Sequence, residues 1–155
     1  MPATTRSAGP APAVARPQVD ARGPRFAAAL TTVVLAAALV LEPSTATVVL
    51  LAVQTVLFGI GAVAGVQRTP YAWVFRTLVR PRLHGVPDLE DAAPPRFAQA
   101  VGLVFAVVAL AGFLTGAALL GAIATGCALV AAFLNAAFGL CLGCEMYLLS
   151  RRALN

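Results

Sequence analysis

Lysine is absent from this sequence, and charged residues of every kind make up only 11% of its 155 positions. A soluble domain carries about 25% charged residues, so this composition excludes an ordinary water-soluble fold. Apolar residues account for 60% of the chain, and the mean hydropathy is +0.88. We therefore predict an integral membrane protein whose main partner is the lipid bilayer.

Several residue sets that enzymes need are also missing. The sequence has no glycine-rich phosphate-binding loop, no serine, histidine and aspartate set, and no carboxylate pair inside an apolar run. A hydrolase, an ATPase and a proton pump therefore find no support. We expect no cofactor and no nucleic-acid ligand, and the sequence favours a protein that is not an enzyme on its own.

An internal duplication organises what is present. Residues 20–29 and 91–100 both read Asp-Ala-x-x-Pro-Arg-Phe-Ala-x-Ala, 71 positions apart, and each segment opens a long apolar run. The shared aspartate, proline, arginine and phenylalanine indicate two copies of one unit. In each copy the proline is predicted to set the entry of the chain, and the arginine to lie at the membrane interface. These predicted interface residues are Pro24, Arg25, Phe26, Pro95, Arg96 and Phe97.

The apolar runs divide into four membrane-spanning helices, each of which needs about 20 residues. Residues 1–19 are rich in proline, alanine and threonine and are predicted to form a disordered cytoplasmic tail. A cytoplasmic loop over 67–90 carries aromatic residues beside arginines, as is typical of an interfacial helix. Repeat 1 (20–66) is predicted to span the membrane at about 25–41 and 46–66, and repeat 2 (91–152) at about 97–114 and 118–140, with a continuation of the last helix to 149 left open.

The arginines predict the orientation of these spans. All eleven basic residues are arginine, and none lies inside an apolar run. Four spans place both termini and the polar segment 67–96 on one side, which then collects every arginine. The positive-inside rule makes this side cytoplasmic, in a bacterial cytoplasmic membrane. The predicted fold is therefore all-α and multi-pass, with four transmembrane helices as two parallel helical-hairpin repeats and both termini inside.

Small and polar residues within the runs suggest how the helices pack. Gln54 and Asn135 are the strongest polar groups, and interhelical hydrogen bonds are the expected role, with a substrate path as the alternative. Glycines four positions apart permit close helix approach, either within the bundle or in a homo-oligomer. These pairs are Gly61 with Gly65, Gly112 with Gly116, and Gly139 with Gly143.

The segment Cys141-Leu-Gly-Cys144-Glu145 is the one group of residues that indicates chemistry. Its spacing places both thiols on one helix face, or in a closed loop if Gly143 breaks the helix. Three interpretations stay open: a redox or sulfur-carrying dithiol, two small packing residues, and a metal site. The metal site would need further ligands, such as Glu145, His84 or a second subunit. A structural disulfide is not expected on a reducing cytoplasmic face.

On the dithiol interpretation, Cys141 and Cys144 exchange and Glu145 accepts a proton. Arg151 and Arg152 would lower the thiol pKa values, whereas the predicted position at a helix C-terminus would oppose a thiolate. Cys127, alone in the middle of the fourth helix, is predicted to be a packing residue.

The two Pro-Arg-Phe segments, the Arg80-Pro81-Arg82 loop and the terminal Cys141-Leu-Gly143-Cys144 together resemble a family of small, largely actinobacterial membrane proteins known as domain of unknown function 4395. The resemblance would cover residues 19–152. The family carries no established activity. The resemblance implies that its gene lies near genes for thioredoxin-like and rhodanese-type proteins, so such a cytoplasmic protein is the expected partner.

Three hypotheses follow from these observations. The leading one is a membrane partner in thiol-redox or reduced-sulfur handling, which uses the Cys-x-x-Cys pair on the cytoplasmic side. The second is a small transporter or channel subunit with a path near Gln54 and Asn135. The third is a structural or assembly subunit of a membrane complex, without chemistry of its own.

Overall fold

A computed structural model describes residues 16–154 of the chain. Six helices carry the fold, and a two-stranded ribbon joins the beginnings of its two halves. The helices are α1 (Arg22–Val40), α2 (Thr45–Val63), α3 (Pro70–Val74), α4 (Ala93–Leu114), α5 (Ala118–Phe138) and α6 (Leu142–Ala153). A 3-10 turn at Val66–Arg68 precedes α3, which continues as a π turn over Phe75–Val79 and a 3-10 turn over Arg80–Arg82. The strands are β1 (Gln18–Asp20) and β2 (Leu89–Asp91).

Four of the helices, α1, α2, α4 and α5, are long and apolar enough to cross a membrane. The predicted all-α, four-span membrane fold is thereby confirmed, and the protein is a multi-pass membrane protein. The predicted span limits lie within a few residues of these helices. The fourth helix, however, ends at Phe138 and does not continue to 149, because Gly139 adopts a left-handed conformation with φ of 70°.

The four long helices form a ring in which α1 and α4 each pack against both α2 and α5. Every long helix therefore contacts one helix of its own hairpin and one of the other hairpin. The buried centre holds mostly small side chains, which permit close approach of the helix axes. Its members are Leu35, Ala38, Leu51, Ala109, Ala124 and Ala128.

The repeated arginines both lie at one end of this ring, each beside a helix of the other hairpin. The Arg96 guanidinium donates hydrogen bonds to the carbonyl oxygens of Ala62 and Val63, at 2.7 and 2.8 Å, at the end of α2. Arg25 lies against Gly139 at the end of α5. A cation beside the last carbonyls of a helix is favourable for its dipole and satisfies unpaired acceptors. Each arginine thus places its positive charge at the C-terminal end of a helix of the other hairpin.

The antiparallel ribbon joins the same two regions of the sequence. Val19 pairs with Glu90, and these residues are 71 positions apart, like the two repeated segments. Flanking hydrogen bonds match as well: the Ala21 N–H donates to the Asp88 carbonyl at 2.8 Å, and the Ala92 N–H to the Pro17 carbonyl at 2.9 Å. The ribbon is therefore symmetric: two residues that are 71 positions apart, such as Ala21 and Ala92, form the same hydrogen bond with the opposite strand.

The predicted disordered tail needs a correction at its end. Gln18 and Val19 belong to a paired strand, and Val19 is buried at 5% exposure. Strand pairing with a distant segment orders these residues despite the low apolar content around them. The remainder of that prediction, residues 1–15, lies outside the described residues.

The glycines of the three predicted pairs serve two different purposes. Gly65, Gly116 and Gly139 have positive φ values and form turns, so they present no packing face. Gly61, Gly112 and Gly143 lie where an added Cβ would come within 3 Å of a neighbouring helix or side chain. The close contacts of these glycines are made inside the chain.

Candidate functional site

The cysteine pair lies at the beginning of α6 rather than at the end of the fourth helix. Gly139 ends α5, Leu140 connects, and Cys141 takes an extended conformation as the N-cap of α6. Its sulfur accepts a hydrogen bond from the Cys144 N–H at 3.3 Å. The expected helix C-terminal position of the pair is therefore wrong, because the left-handed glycine separates two helices within one apolar run.

Cys141 and Cys144 are joined by a disulfide, with their Cα atoms 5.2 Å apart. Both residues are half-buried, so neither is sealed inside the protein. A Cys-x-x-Cys bridge at a helix N-terminus differs from the separate thiols on one helix face that the spacing also allowed. A disulfide was not expected at this place, and the structure contains one between these two cysteines.

The new position reverses the electrostatic argument about the thiols. Amide N–H groups at a helix N-terminus favour negative charge, so a Cys141 thiolate would be stabilised there. Glu145 lies exposed in the first turn of α6, and Arg151 and Arg152 lie in its last turn, as the helix dipole favours. The site is thus suited to a reactive thiolate once the bridge is reduced.

Gly143, between the two cysteines, sets how α6 sits on α4. A Cβ added at Gly143 would lie 2.6 Å from the Cα of Ala98, so only glycine permits this approach. Three residues beyond Cys144, the Tyr147 ring packs on Phe97 with centroids 5.7 Å apart and an interplanar angle of 47°. The phenylalanine of the second repeated segment therefore anchors the helix that carries the cysteines.

A cavity of about 330 Å³ lies beside the pair, between α1, α4, α5 and α6, with Phe58 of α2 also in its wall. Most of its lining is apolar, and its polar side chains are few. The polar side chains of the lining, with the cysteines counted among them, are Thr31, Gln99, Cys127, Asn135 and Cys141. Cys127 is exposed and lines this cavity, so the prediction of a packing residue is wrong for it. Asn135 and Cys141 line the same cavity, and sequence reasoning did not connect these two residues.

Gln54 has the role expected of an intramembrane amide. It is 1% exposed, and its Nε2 donates to the Thr31 hydroxyl at 3.3 Å, linking α2 to α1. The Tyr71 hydroxyl donates to the Gln54 Oε1 at 3.2 Å, and burial raises the pKa of Tyr71. Sequence reasoning missed Thr31 and Tyr71, because neither hydroxyl is distinctive before its partner is known.

A second cavity, of about 200 Å³, lies at the beginning of α3. Its lining includes the charged side chains of Asp20, Arg76 and Arg80, whereas none of the described residues that line the first cavity is charged. Thr69 lines it as the N-cap of α3, and its hydroxyl accepts the Ala72 N–H at 3.2 Å. Gln99 lines both cavities and lies between them.

Within residues 16–154, no three histidine, cysteine, aspartate or glutamate side chains lie close enough together to hold a metal ion. The metal interpretation of Cys141 and Cys144 therefore gains no third ligand from the described part of the chain, neither from Glu145 nor from His84.

The sequence model of one protein family matches the chain over residues 19–152, which is nearly its whole length. That family is described as Domain of unknown function (DUF4395). No curated protein and no solved structure matches the chain.

Proposed function

Since the chain belongs to the DUF4395 family, whose description names no activity, we propose from its own site that it is a membrane partner in thiol-redox handling. In this proposal, the Cys141–Cys144 pair cycles between disulfide and dithiol. The observation that carries it is the disulfide at the N-terminus of α6, where Cys141 is the helix cap. A helix N-terminus lowers the pKa of a thiol and thereby stabilises the reduced pair.

The exchange proceeds through a mixed disulfide. A thiolate of a partner dithiol attacks one sulfur of the Cys141–Cys144 bridge, and the other sulfur leaves as a thiolate stabilised by the helix N-terminus. The second thiol of the partner then attacks the partner's own sulfur in the mixed disulfide and releases the remaining cysteine of the pair as a thiolate. One S–S bond forms in the partner while one breaks here, and two protons pass to the Cys141–Cys144 dithiol.

The partner is proposed to be cytoplasmic. Arg25 and Arg96 lie at the end of the ring where α2 and α5 end, which is also where α6 begins. The positive-inside rule assigns that end to the cytoplasm of a bacterial cell, with both termini inside. A thioredoxin-like protein is the proposed partner, and a rhodanese-type persulfide carrier is the second candidate.

The test is a trapping experiment with the two single variants, Cys141→Ser and Cys144→Ser, in cells quenched with acid. The remaining thiol of one variant is expected to hold a partner in a mixed disulfide that dithiothreitol releases. Cys127→Ser is the matched control, since it leaves the pair intact and should trap nothing. If neither single variant yields an adduct, the redox proposal fails.

The transporter alternative has weaker support. Gln54 forms hydrogen bonds with Thr31 and Tyr71 and does not line either of the two cavities described above. Asn135 does line a cavity, but α4 and α5 meet closely at Gly112 and Gly121, near the turn between them. Solute flux in liposomes that survives removal of both bridge cysteines would favour that alternative. Stable co-purification with a larger complex, indifferent to every cysteine, would favour an assembly subunit.

A further inference from the structure

We propose that the cavity beside Cys141 binds the ring of a lipid-soluble quinone, which accepts the electrons of the reduced Cys141–Cys144 pair. This inference rests on the proposed function and adds the class of its second substrate. It is carried by three properties of the cavity: its place beside the disulfide, the chemistry of its walls, and its access from the bilayer.

The cavity occupies a gap between α4 and α5. These helices approach most closely near their turn, where a Cβ on Gly112 would lie 2.7 Å from the Gly121 nitrogen. Beyond that contact, toward the ends that carry the arginines, the cavity lies between them. Its other end is closed by the first turn of α6, where Cys141, Leu142 and Gly143 form part of the lining. A bound ring would therefore have the disulfide at its edge.

The lining suits a flat apolar ring with a carbonyl at each end. Phe58, Phe105 and Met146 provide apolar surface. Gln99 and Asn135 carry amide groups whose N–H bonds can donate to quinone oxygens. The volume of about 330 Å³ lies in the range of about 300–1,000 Å³ that is usual for small-ligand sites. Among residues 16–154, no charged side chain lines the cavity, which disfavours an ionic oxidant.

Access to the cavity is through the membrane-spanning part of the protein. Phe105 is 37% exposed and Cys127 is exposed, and both lie within helices that are long enough to span the bilayer. Side chains exposed in such helices face acyl chains rather than water. An oxidant that enters here must dissolve in lipid, and membrane quinones are lipid-soluble two-electron acceptors.

The electrons balance in two steps. A partner dithiol first reduces the Cys141–Cys144 disulfide and becomes oxidised itself. The Cys141–Cys144 dithiol then gives two electrons and two protons to the quinone, so the S–S bond forms again and both quinone carbonyls become hydroxyls. The net reaction moves two electrons from a cytoplasmic thiol pair into the membrane.

The test uses the full chain in phospholipid nanodiscs, with the pair reduced and the reductant removed. Decylubiquinone is added, and quinone absorbance and free thiols are followed together. One quinone is expected to be reduced for each dithiol oxidised. Ala131→Phe, which fills the cavity, should slow this reaction by at least about tenfold through steric exclusion. Ala137→Phe, an exposed position outside the cavity, is the matched control and should react like the natural protein.

A binding measurement keeps the proposal testable if Ala131→Phe fails to fold. A photoactivatable azidoquinone should label lining segments of α4 and α5 in the unaltered protein, and excess decylubiquinone should prevent the labelling. Labelling elsewhere, or quinone reduction that is equal in the filled and control variants, overturns the proposal. Exchange of the pair with the soluble disulfide 5,5′-dithiobis(2-nitrobenzoate), without quinone reduction, overturns the quinone inference and leaves the thiol-redox proposal standing. If the pair neither exchanges with the soluble disulfide nor reduces quinone, the proposed thiol-redox function is itself overturned.

Discussion

The helices α3 and α6 follow the first and second hairpins in the same way, and their beginnings invite a direct comparison. Each is anchored by an aromatic contact to the phenylalanine of a repeated segment: Phe75 on Phe26 at 5.8 Å, and Tyr147 on Phe97 at 5.7 Å. Each begins with a side-chain cap that accepts the N–H three residues later. The repeating unit therefore contains a third, short helix that the apolar pattern alone did not assign to it.

The caps themselves differ. Thr69 uses a hydroxyl, which is among the preferred caps, whereas Cys141 uses a sulfur, which is a weak acceptor. The residue three positions on is Ala72 in the first unit and Cys144 in the second. Capping alone would favour a hydroxyl in both units. The first unit folds with a hydroxyl cap and no thiol at this place. The thiol pair of the second unit is therefore not explained by a need for helix capping.

The surroundings of the two caps differ in charge. The cavity at Thr69 includes Asp20, Arg76 and Arg80, while the cavity at Cys141 has no charged lining residue in the part of the chain that the structure describes. The first site resembles a polar surface cleft, and the second a site for an apolar molecule. Two copies of one architecture thus offer different chemistry at equivalent positions.

The largest expected effect comes from making the second cap like the first. Cys141→Ser keeps a capping oxygen but removes the bridge, so the protein should fold while the disulfide–dithiol cycle of the pair is lost completely. Thiol titration with 5,5′-dithiobis(2-nitrobenzoate), before and after reduction, measures the loss: reduction should release the two bridge thiols of the natural protein and add no thiol in the variant. Thr69→Ser is the control and should change neither this titration nor folding. A Cys141→Ser protein that still gains thiols on reduction would show that the cap difference does not determine the redox cycle.

The next effect concerns the contact between α6 and α4. Gly143→Ala places a Cβ 2.6 Å from Ala98, so overpacking should lower the free energy of unfolding by about 1–3 kcal/mol. Gly23→Ala is the counterpart at the contact between α1 and the α3 segment, where the Cβ would lie an ordinary 3.5 Å from the Phe75 ring. Thermal unfolding in detergent micelles should therefore separate the two variants. Equal melting temperatures would contradict the close packing of α6.

These comparisons also show what the sequence could predict. Apolar length and arginine placement predicted four spans, because both follow from transfer of side chains into lipid. The break before α6 was not predictable, since Gly126 lies inside α5 without ending it whereas Gly139 turns left-handed. A glycine permits either conformation, and long-range packing decides between them.

The residues of the candidate site could be predicted only in part. The cysteine pair was found from its spacing, but its place at a helix N-terminus depends on the break at Gly139. The cavity joins residues from five helices, and Thr31, Gln99 and Asn135 lie far apart in sequence on three of them. Helix packing brings them together, and a single sequence does not record which helix faces meet.

A smaller effect is expected from the repeated arginines. Arg96→Ala removes two hydrogen bonds to the end of α2, and because Arg96 is exposed, the expected loss of stability is only about 1 kcal/mol. Arg96→Lys keeps the charge but not the paired geometry and should recover part of the loss. Chemical unfolding of both variants tests this order. An Arg96→Lys variant no more stable than Arg96→Ala would mean that charge at this helix end contributes nothing.

The smallest expected effect is a difference in stability between variants of the two repeated aspartates, Asp20 and Asp91. Each accepts the N–H that starts its helix, Arg22 for Asp20 at 3.2 Å and Ala93 for Asp91 at 3.0 Å. Only Asp20 has an arginine two residues on, and the hydrogen bond from the Arg22 side chain lowers the pKa of Asp20.

Because the folded pKa of Asp20 is lowered, its ionised form stabilises the fold above the ordinary aspartate pKa of about 3.9, and this stabilisation is lost as the pH falls through the lower folded value. Asp20→Asn should therefore cost up to about 1 kcal/mol at pH 7, and the cost should shrink below about pH 4. Asp91→Asn should cost less at pH 7, because its partner Arg16 is 3.5 Å away and well exposed. Unfolding measured from pH 3 to pH 7 compares the two variants, and equal costs at every pH would show that the Asp20–Arg22 pair does not distinguish the two units.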